Sequence, residues 1–151
     1  MLAQRRPDCL RPEAQPDGLK PGVQLDTALV RVFLVEDSPL IRRRIIDNLL
    51  SIGGFVVVGF AESEDDAIAA IAETKPDIVV TDIRLREGNG IEVVRQIRQA
   101  GPTASPPKIY VLSNYASAEY RRECELVGAD AFFDKSGEYD RFLDTLQHVA
   151  H

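Results

Sequence analysis

From Arg31 onward, short apolar runs alternate with longer stretches whose apolar residues recur every three or four positions. The runs at 32–35, 55–60, 78–81, 109–112 and 131–133 are rich in Val, Ile and Phe, the composition of strands buried on both faces. The stretches between them read as helices. Ser38 caps a first helix with Pro39 at its first position, placing Ile41, Ile45, Leu49 and Ile52 on one face. Ser63 and Asp66 form a capping box ahead of Ala67, Ile68 and Ile71, and Lys75-Pro76 ends that helix. A third helix carries Ile91, Val94 and Ile97; a fourth runs from about Ser117 to Val127 and stops at Gly128, a left-handed cap. The last aligns Tyr139, Phe142, Leu143, Leu146 and Val149 in one stripe.

Five strands alternating with five helices imply an α/β fold, a parallel sheet covered on both faces. Right-handed crossovers restrict it to a doubly wound five-stranded sheet of order 2-1-3-4-5, flavodoxin-like. Ligands of such sheets bind beyond the carboxyl ends of the strands, where the order reverses. That reversal falls between the strands ending at Val35 and Thr81, so Glu36, Asp37 and Asp82 stand there.

Composition sharpens this picture. The length of 151 residues suits one domain, and 44% hydrophobic with 28% charged residues is ordinary for a soluble globular chain. No apolar run approaches the ~20 residues that span a bilayer, and no secretory signal opens the chain, so the expected location is cytoplasmic. Residues 1–29 balance Arg5, Arg6, Arg11 and Lys20 against Asp8, Glu13, Asp17 and Asp26; the net charge of −6 therefore belongs to residues 30–151. An acidic domain lacks the basic footprint of a nucleic-acid binder. Four of the nine prolines fall in residues 1–29, which show no hydrophobic period. They read as a disordered extension preceding a domain at 30–151, or as the product of a wrongly assigned start. Cys9 and Cys124 make no disulfide framework, and Cys124 reads as a small buried hydrophobe. His148 and His151 have no metal-ligand company.

Three carboxylates a few ångströms apart repel one another, a conflict that a hard divalent cation removes. Magnesium fits, because it takes one or two carboxylates, waters and phosphate oxygens. The next strand ends in Ser113, a hydroxyl, and the last in Lys135, a point charge suited to a phosphoryl group. Each residue has a plainer reading. Asp37 alone is a turn former, Ser113 a strand end, Lys135 a solvated charge, and Gly88 and Gly90 loop punctuation. Joint placement favours chemistry: five residues of suitable type end four strands, a set fit for phosphoryl transfer.

The segments "VFLVEDSPLIRRRI", "PDIVVTDIRLREGNGIEVV", "YVLSNYAS" and "GADAFFDKSGEYDRF" resemble the receiver domain of bacterial two-component response regulators over about residues 31–149. The resemblance implies that Asp82 accepts a phosphoryl group from a sensor histidine kinase and that Glu36, Asp37 and Asp82 hold Mg2+. It further implies that Lys135 pairs with the phosphoryl oxygens, Ser113 is the switch hydroxyl and Phe132 the aromatic switch. Arg84 and Tyr115 occupy positions that influence phosphoryl lifetime in the family. They are expected to border the water's approach, unless Arg84 instead pairs with Glu36. Two residues depart from the family pattern. Arg86 stands where a proline usually follows the phosphorylated aspartate by four, implying a less rigid loop, and Ser136 replaces the proline after the site lysine. The expected protein is a stand-alone receiver acting through protein contacts of its fourth helix, fifth strand and fifth helix, with no direct nucleic-acid or membrane partner. A phosphorelay intermediate and a magnesium-dependent aspartyl phosphohydrolase are the alternatives. The latter wants a second aspartate where Arg84 stands. A pseudo-receiver would have lost one of the acids.

Overall fold

The computed structural model describes residues 28–101 and 105–150. The reading of residues 1–29 as a disordered extension falls almost wholly outside them. The element order is β1 (Val30–Val35), α1 (Pro39–Ile52), β2 (Phe55–Ala61), α2 (Glu64–Thr74), β3 (Ile78–Thr81), α3 (Gly90–Gln99), β4 (Lys108–Ser113), α4 (Ala118–Val127), β5 (Ala131–Asp134) and α5 (Tyr139–Ala150). All strand pairs are parallel and the order is β2-β1-β3-β4-β5, as the pattern predicts.

Successive side chains of a strand point to opposite faces, so each strand feeds two cores. Val32 and Leu34 pack with Ile45 and Leu49 of α1 and with Phe142 and Leu146 of α5. Phe33 and Val35 pack with Ala67 and Ile71 of α2, Val93 and Val94 of α3, and Cys124 of α4. Burial pushes the Cys124 thiol up to about 11, consistent with an inert packing residue.

Local chemistry explains where the helices begin and end. The Ser38, Ser63, Asn89 and Ser117 side chains accept the N–H of Ile41, Asp66, Glu92 and Tyr120 respectively, each satisfying an orphan donor of its helix. Gly128 closes α4 with φ 112°, and Lys75 closes α2 with φ 50° ahead of Pro76. One expected core residue sits elsewhere: Val149 is 41% exposed, and Ala150 packs against the core in its place. At 3.6 residues per turn, 11 residues make about three turns, which returns position 150 beneath Tyr139. Among the described residues no helix is long and apolar enough to cross a membrane.

Residues 1–29 carry no hydrophobic period that could pack on the core, and among the described residues the core clusters begin at Val30. Removing residues 1–29 is therefore expected to leave the thermal midpoint within about 2 °C of the full chain, since changes that touch no packing contact stay within ~0.5 kcal/mol. A fall of 10 °C in differential scanning calorimetry would show that the segment is part of the fold.

Candidate functional site

The register of the central strands assembles one edge of the sheet. Val35 pairs with Thr81, so the residues that follow them, Glu36 and Asp82, emerge side by side. The Asp82 N–H donates to the Val35 carbonyl at 3.0 Å, and the Glu36 N–H to that of Ala61 at 3.0 Å. On the other flank Ser113 pairs with Asp134, and the Lys135 N–H donates to the Ser113 carbonyl at 3.0 Å. The expected residues thus stand at the carboxyl ends of β1, β3, β4 and β5.

Their side chains meet in a way that strand placement did not specify. The Lys135 ammonium lies 2.8 Å from Glu36 Oε1 and 2.7 Å from Asp82 Oδ2, with Lys135 and both acids nearly buried. The second oxygen of each acid is also held. Asp82 Oδ1 accepts the Ile83 N–H at 2.6 Å, and Glu36 Oε2 the Ser38 N–H at 3.1 Å. Asp37 stands half-buried beside them. Among the described residues no three His, Cys, Asp or Glu side chains gather closely enough to hold a metal ion. The expected conflict among three carboxylates is therefore reduced to two acids sharing one counterion, because the ammonium of a distant strand end fills the gap.

Electrostatics at the pair follow from burial. Loss of water raises the Glu36 carboxyl above its ordinary range, and hydrogen bonding to Lys135 opposes this without cancelling it. At Lys135, burial lowers the ammonium's pKa, but hydrogen bonds to Asp82 and Glu36 outweigh it and the net direction is up. The lysine stays charged at neutral pH, and the acids face a fixed cation.

Ser113 is fully buried, and its Oγ accepts the Tyr115 N–H at 3.1 Å instead of joining the Glu36–Lys135–Asp82 trio. Phe132 is half-buried in β5, with the Arg121 guanidinium 4.8 Å from its ring centre. Arg84 does not pair with Glu36; Lys135 holds that acid, and the Arg84 guanidinium lies over the Tyr115 ring at 4.6 Å. Ser136 fixes the lysine loop without a proline: its N–H and Oγ both donate to Asp134 Oδ1, at 2.9 and 2.8 Å.

Two contributors escaped the sequence reading. Gly90 is more than punctuation, because a Cβ there would lie 1.8 Å from the Asp82 carbonyl oxygen; α3 begins too close to the site for any side chain. Glu62, the residue directly after β2, pairs with both Arg42 and Arg86. The only sequence signal for it was the unusual Arg86.

Comparison with known proteins bears on this geometry. The family profile described as "Response regulator receiver domain" matches residues 32–147. The DNA-binding transcriptional activator DevR/DosR of Mycobacterium tuberculosis is 36% identical over 107 residues, covering 71% of this chain and 48% of that protein. Chemotaxis protein CheY of Thermotoga maritima is 32% identical over 120 residues, covering 80% of this chain and 97% of its own length. The crystal structure of the CheX-CheY-BeF3-Mg+2 complex from Borrelia burgdorferi aligns with a TM-score of 0.72 at 21% identity, covering 85% of this chain and 95% of that one, a likeness of fold. The chain spans about half the length of the mycobacterial relative and nearly all of the Thermotoga one.

Proposed function

Since the chain belongs to the response regulator receiver domain family, we propose that it is a phosphorylation-dependent switch of two-component signalling whose phosphoacceptor is Asp82. One observation carries the reading: Lys135, from the last strand end, joins Asp82 and Glu36 at 2.7 and 2.8 Å with all three side chains nearly buried. A carboxylate held this way is oriented in advance, and the ammonium stands ready to offset charge on transferred oxygens. In the transfer, an Asp82 oxygen attacks the phosphorus of a kinase phosphohistidine. The new P–O bond forms as the P–N bond breaks, and the imidazole leaves with the electron pair.

The donor set fits magnesium. Glu36 and Asp82 offer hard oxygens that already accept one cation between them, and magnesium asks for only one or two carboxylates with waters; Asp37, next in the chain to Glu36, would have to turn toward them to add a third. A bound ion would offset charge on these acids and on the phosphoryl oxygens. The Borrelia complex named above carries Mg2+ with BeF3, which supports the assignment.

The output reading follows from the other side of Lys135. Phosphorylation draws Ser113 toward the site and repacks Phe132, changing the face formed by α4, β5 and α5 for a downstream protein. Arg121, which lies over Phe132 and pairs with Glu138 at 2.6 Å, spans that face. No turnover of an outside substrate is part of the proposal. Incubation with magnesium and a small acyl phosphate, followed by intact-mass measurement, tests it. One added phosphoryl group supports the reading, and an unchanged mass overturns it.

The lifetime of that group depends on the Arg84–Tyr115 stack. Hydrolysis needs water to reach phosphorus opposite the Asp82 oxygen, and these two bulky residues, in contact at 4.6 Å, border the approach. Replacing both by alanine is expected to speed dephosphorylation about tenfold, roughly 1.4 kcal/mol off the barrier. The check is decay of the phosphorylated protein at saturating magnesium without kinase. A decay no faster than that of the unaltered chain would refute shielding.

A further inference from the structure

The loop after Asp82 lacks the family's usual proline, yet its backbone is tied down. The Arg86 N–H, a donor that proline would not have, reaches the Glu62 carbonyl at 3.2 Å. Its guanidinium meets Glu62 Oε1 at 2.9 Å. The other carboxylate oxygen of Glu62 receives Arg42 Nη1 at 3.1 Å. That same Arg42 nitrogen donates to the Glu36 carbonyl at 2.7 Å, while its guanidinium stacks 3.9 Å from the centre of the Phe60 ring. Two residues beyond Glu62, the Glu64 N–H binds the Glu87 carbonyl at 2.8 Å, and Glu64 Oε1 accepts the Asn89 N–H at 3.1 Å.

Glu62 is thus the common partner of two arginines on two different elements. Arg42 belongs to the helix that follows Glu36 and Asp37, and Arg86 to the loop that follows Asp82. We infer that Glu62 is a positioning residue: by clasping Arg86 and Arg42 it fixes the Asp82 loop against the start of α1, and so sets the spacing of the acids that bind magnesium. The inference rests on the magnesium reading of Glu36, Asp37 and Asp82. The clasp does for this loop what a rigid proline does elsewhere, through charge instead of a ring. Two features bound its strength. Arg42 is well buried and triply engaged, so its end is firm; the Arg86 side chain is 64% exposed, so that arm is screened by water and salt.

The test uses the full chain and the variants Glu62→Gln, Arg86→Gln and both together. Glu62→Gln keeps the shape and removes the charge. Each single variant is expected to raise the magnesium concentration for half-saturation about threefold, the scale of one screened pair. Binding is read on the unphosphorylated protein from amide chemical shifts of Asp82 and Ile83. Acyl-phosphate labelling at saturating magnesium is expected to stay within about twofold of the unaltered rate, because no reacting group has changed. The double variant is expected to be no worse than Glu62→Gln alone, since that substitution already removes the Arg86 contact. An unchanged midpoint, or an additive rise of about ninefold in the double variant, overturns the clasp. Hydrogen exchange at the Arg86 amide provides a readout independent of the ion, with several-fold faster exchange expected in Glu62→Gln. If the unaltered chain bound no magnesium, the site reading would fall on its own. Unchanged Arg86 exchange in Glu62→Gln would then overturn the clasp separately.

Discussion

Asp82→Ala is expected to take up no phosphoryl group under conditions that add one to the unaltered chain. Three carboxylates crowd this edge, so the choice among them needs a reason. Asp82 ends β3, which lies between β1 and β4 in the sheet. It is therefore the acid with carboxylates on one side and the ends of β4 and β5, with Ser113 and Lys135, on the other. Glu36 also touches Lys135, but it lies one strand further from Ser113, with its second oxygen held by the first residues leading into α1. Asp37 is half-exposed and outside the pair. Transfer needs a nucleophile set between the neighbouring carboxylates and the Ser113 and Lys135 strand ends, and in the strand order only Asp82 stands between them. The variant remains a fair test because Lys135 keeps Glu36 as its partner, so no ammonium is left buried and unpaired. Intact mass after acyl-phosphate treatment gives the answer, with circular dichroism to verify folding. Equal labelling of Asp82→Ala would sink the assignment.

Much of the fold was legible because its signals are local. Val-, Ile- and Phe-rich runs of three to six residues, too short for helices, read as strands buried on both faces. Ser38-Pro39 and Gly128 mark helix ends through hydrogen bonds made within a few residues. Placement of the site residues followed from the same logic, since each directly ends or follows a strand. What stayed hidden is contact between side chains far apart in the chain. Nothing near Lys135 says that its ammonium will sit between acids 53 and 99 positions earlier; only the parallel order of strands brings them together. For Arg84 the sequence offered a place at the opening or a pairing with Glu36; its stacking on Tyr115 instead of Glu36 depended on Lys135 having already filled the acid's demand for a cation. Glu62 carried no signal of its own beyond being polar after a strand; the one hint was Arg86 in place of the family's proline. Gly90 shows how a glycine can be ambiguous in sequence, since turn punctuation and close approach of backbone use the same residue.

Magnesium is expected to raise the stability of the folded chain by about 2.7 kcal/mol at a free concentration ~100 times its dissociation constant. The size follows from mass action alone, because an ion held by residues 36, 37 and 82 together has no equivalent site in the unfolded chain. For a domain of this length the gain corresponds to roughly 10 °C in thermal midpoint. Lys135 bears on how the effect is read. Its ammonium already offsets part of the repulsion between Glu36 and Asp82, so the chelated protein is expected to fold without the ion and to give a baseline midpoint. The chain's net charge of −6 raises a rival explanation, that any divalent cation screens surface repulsion. Asp37→Asn separates the two. Asp37 is half-exposed and lies outside the buried pair, so its loss should change the stability of the chelated protein by less than ~0.5 kcal/mol. It lowers the charge by only one, leaving general screening nearly intact. A site effect requires most of the magnesium-dependent rise to vanish in that variant, measured by scanning calorimetry in excess magnesium against chelator at matched ionic strength. A rise of equal size in Asp37→Asn would assign the stabilisation to screening, and no rise in the unaltered chain would remove the metal from the site altogether.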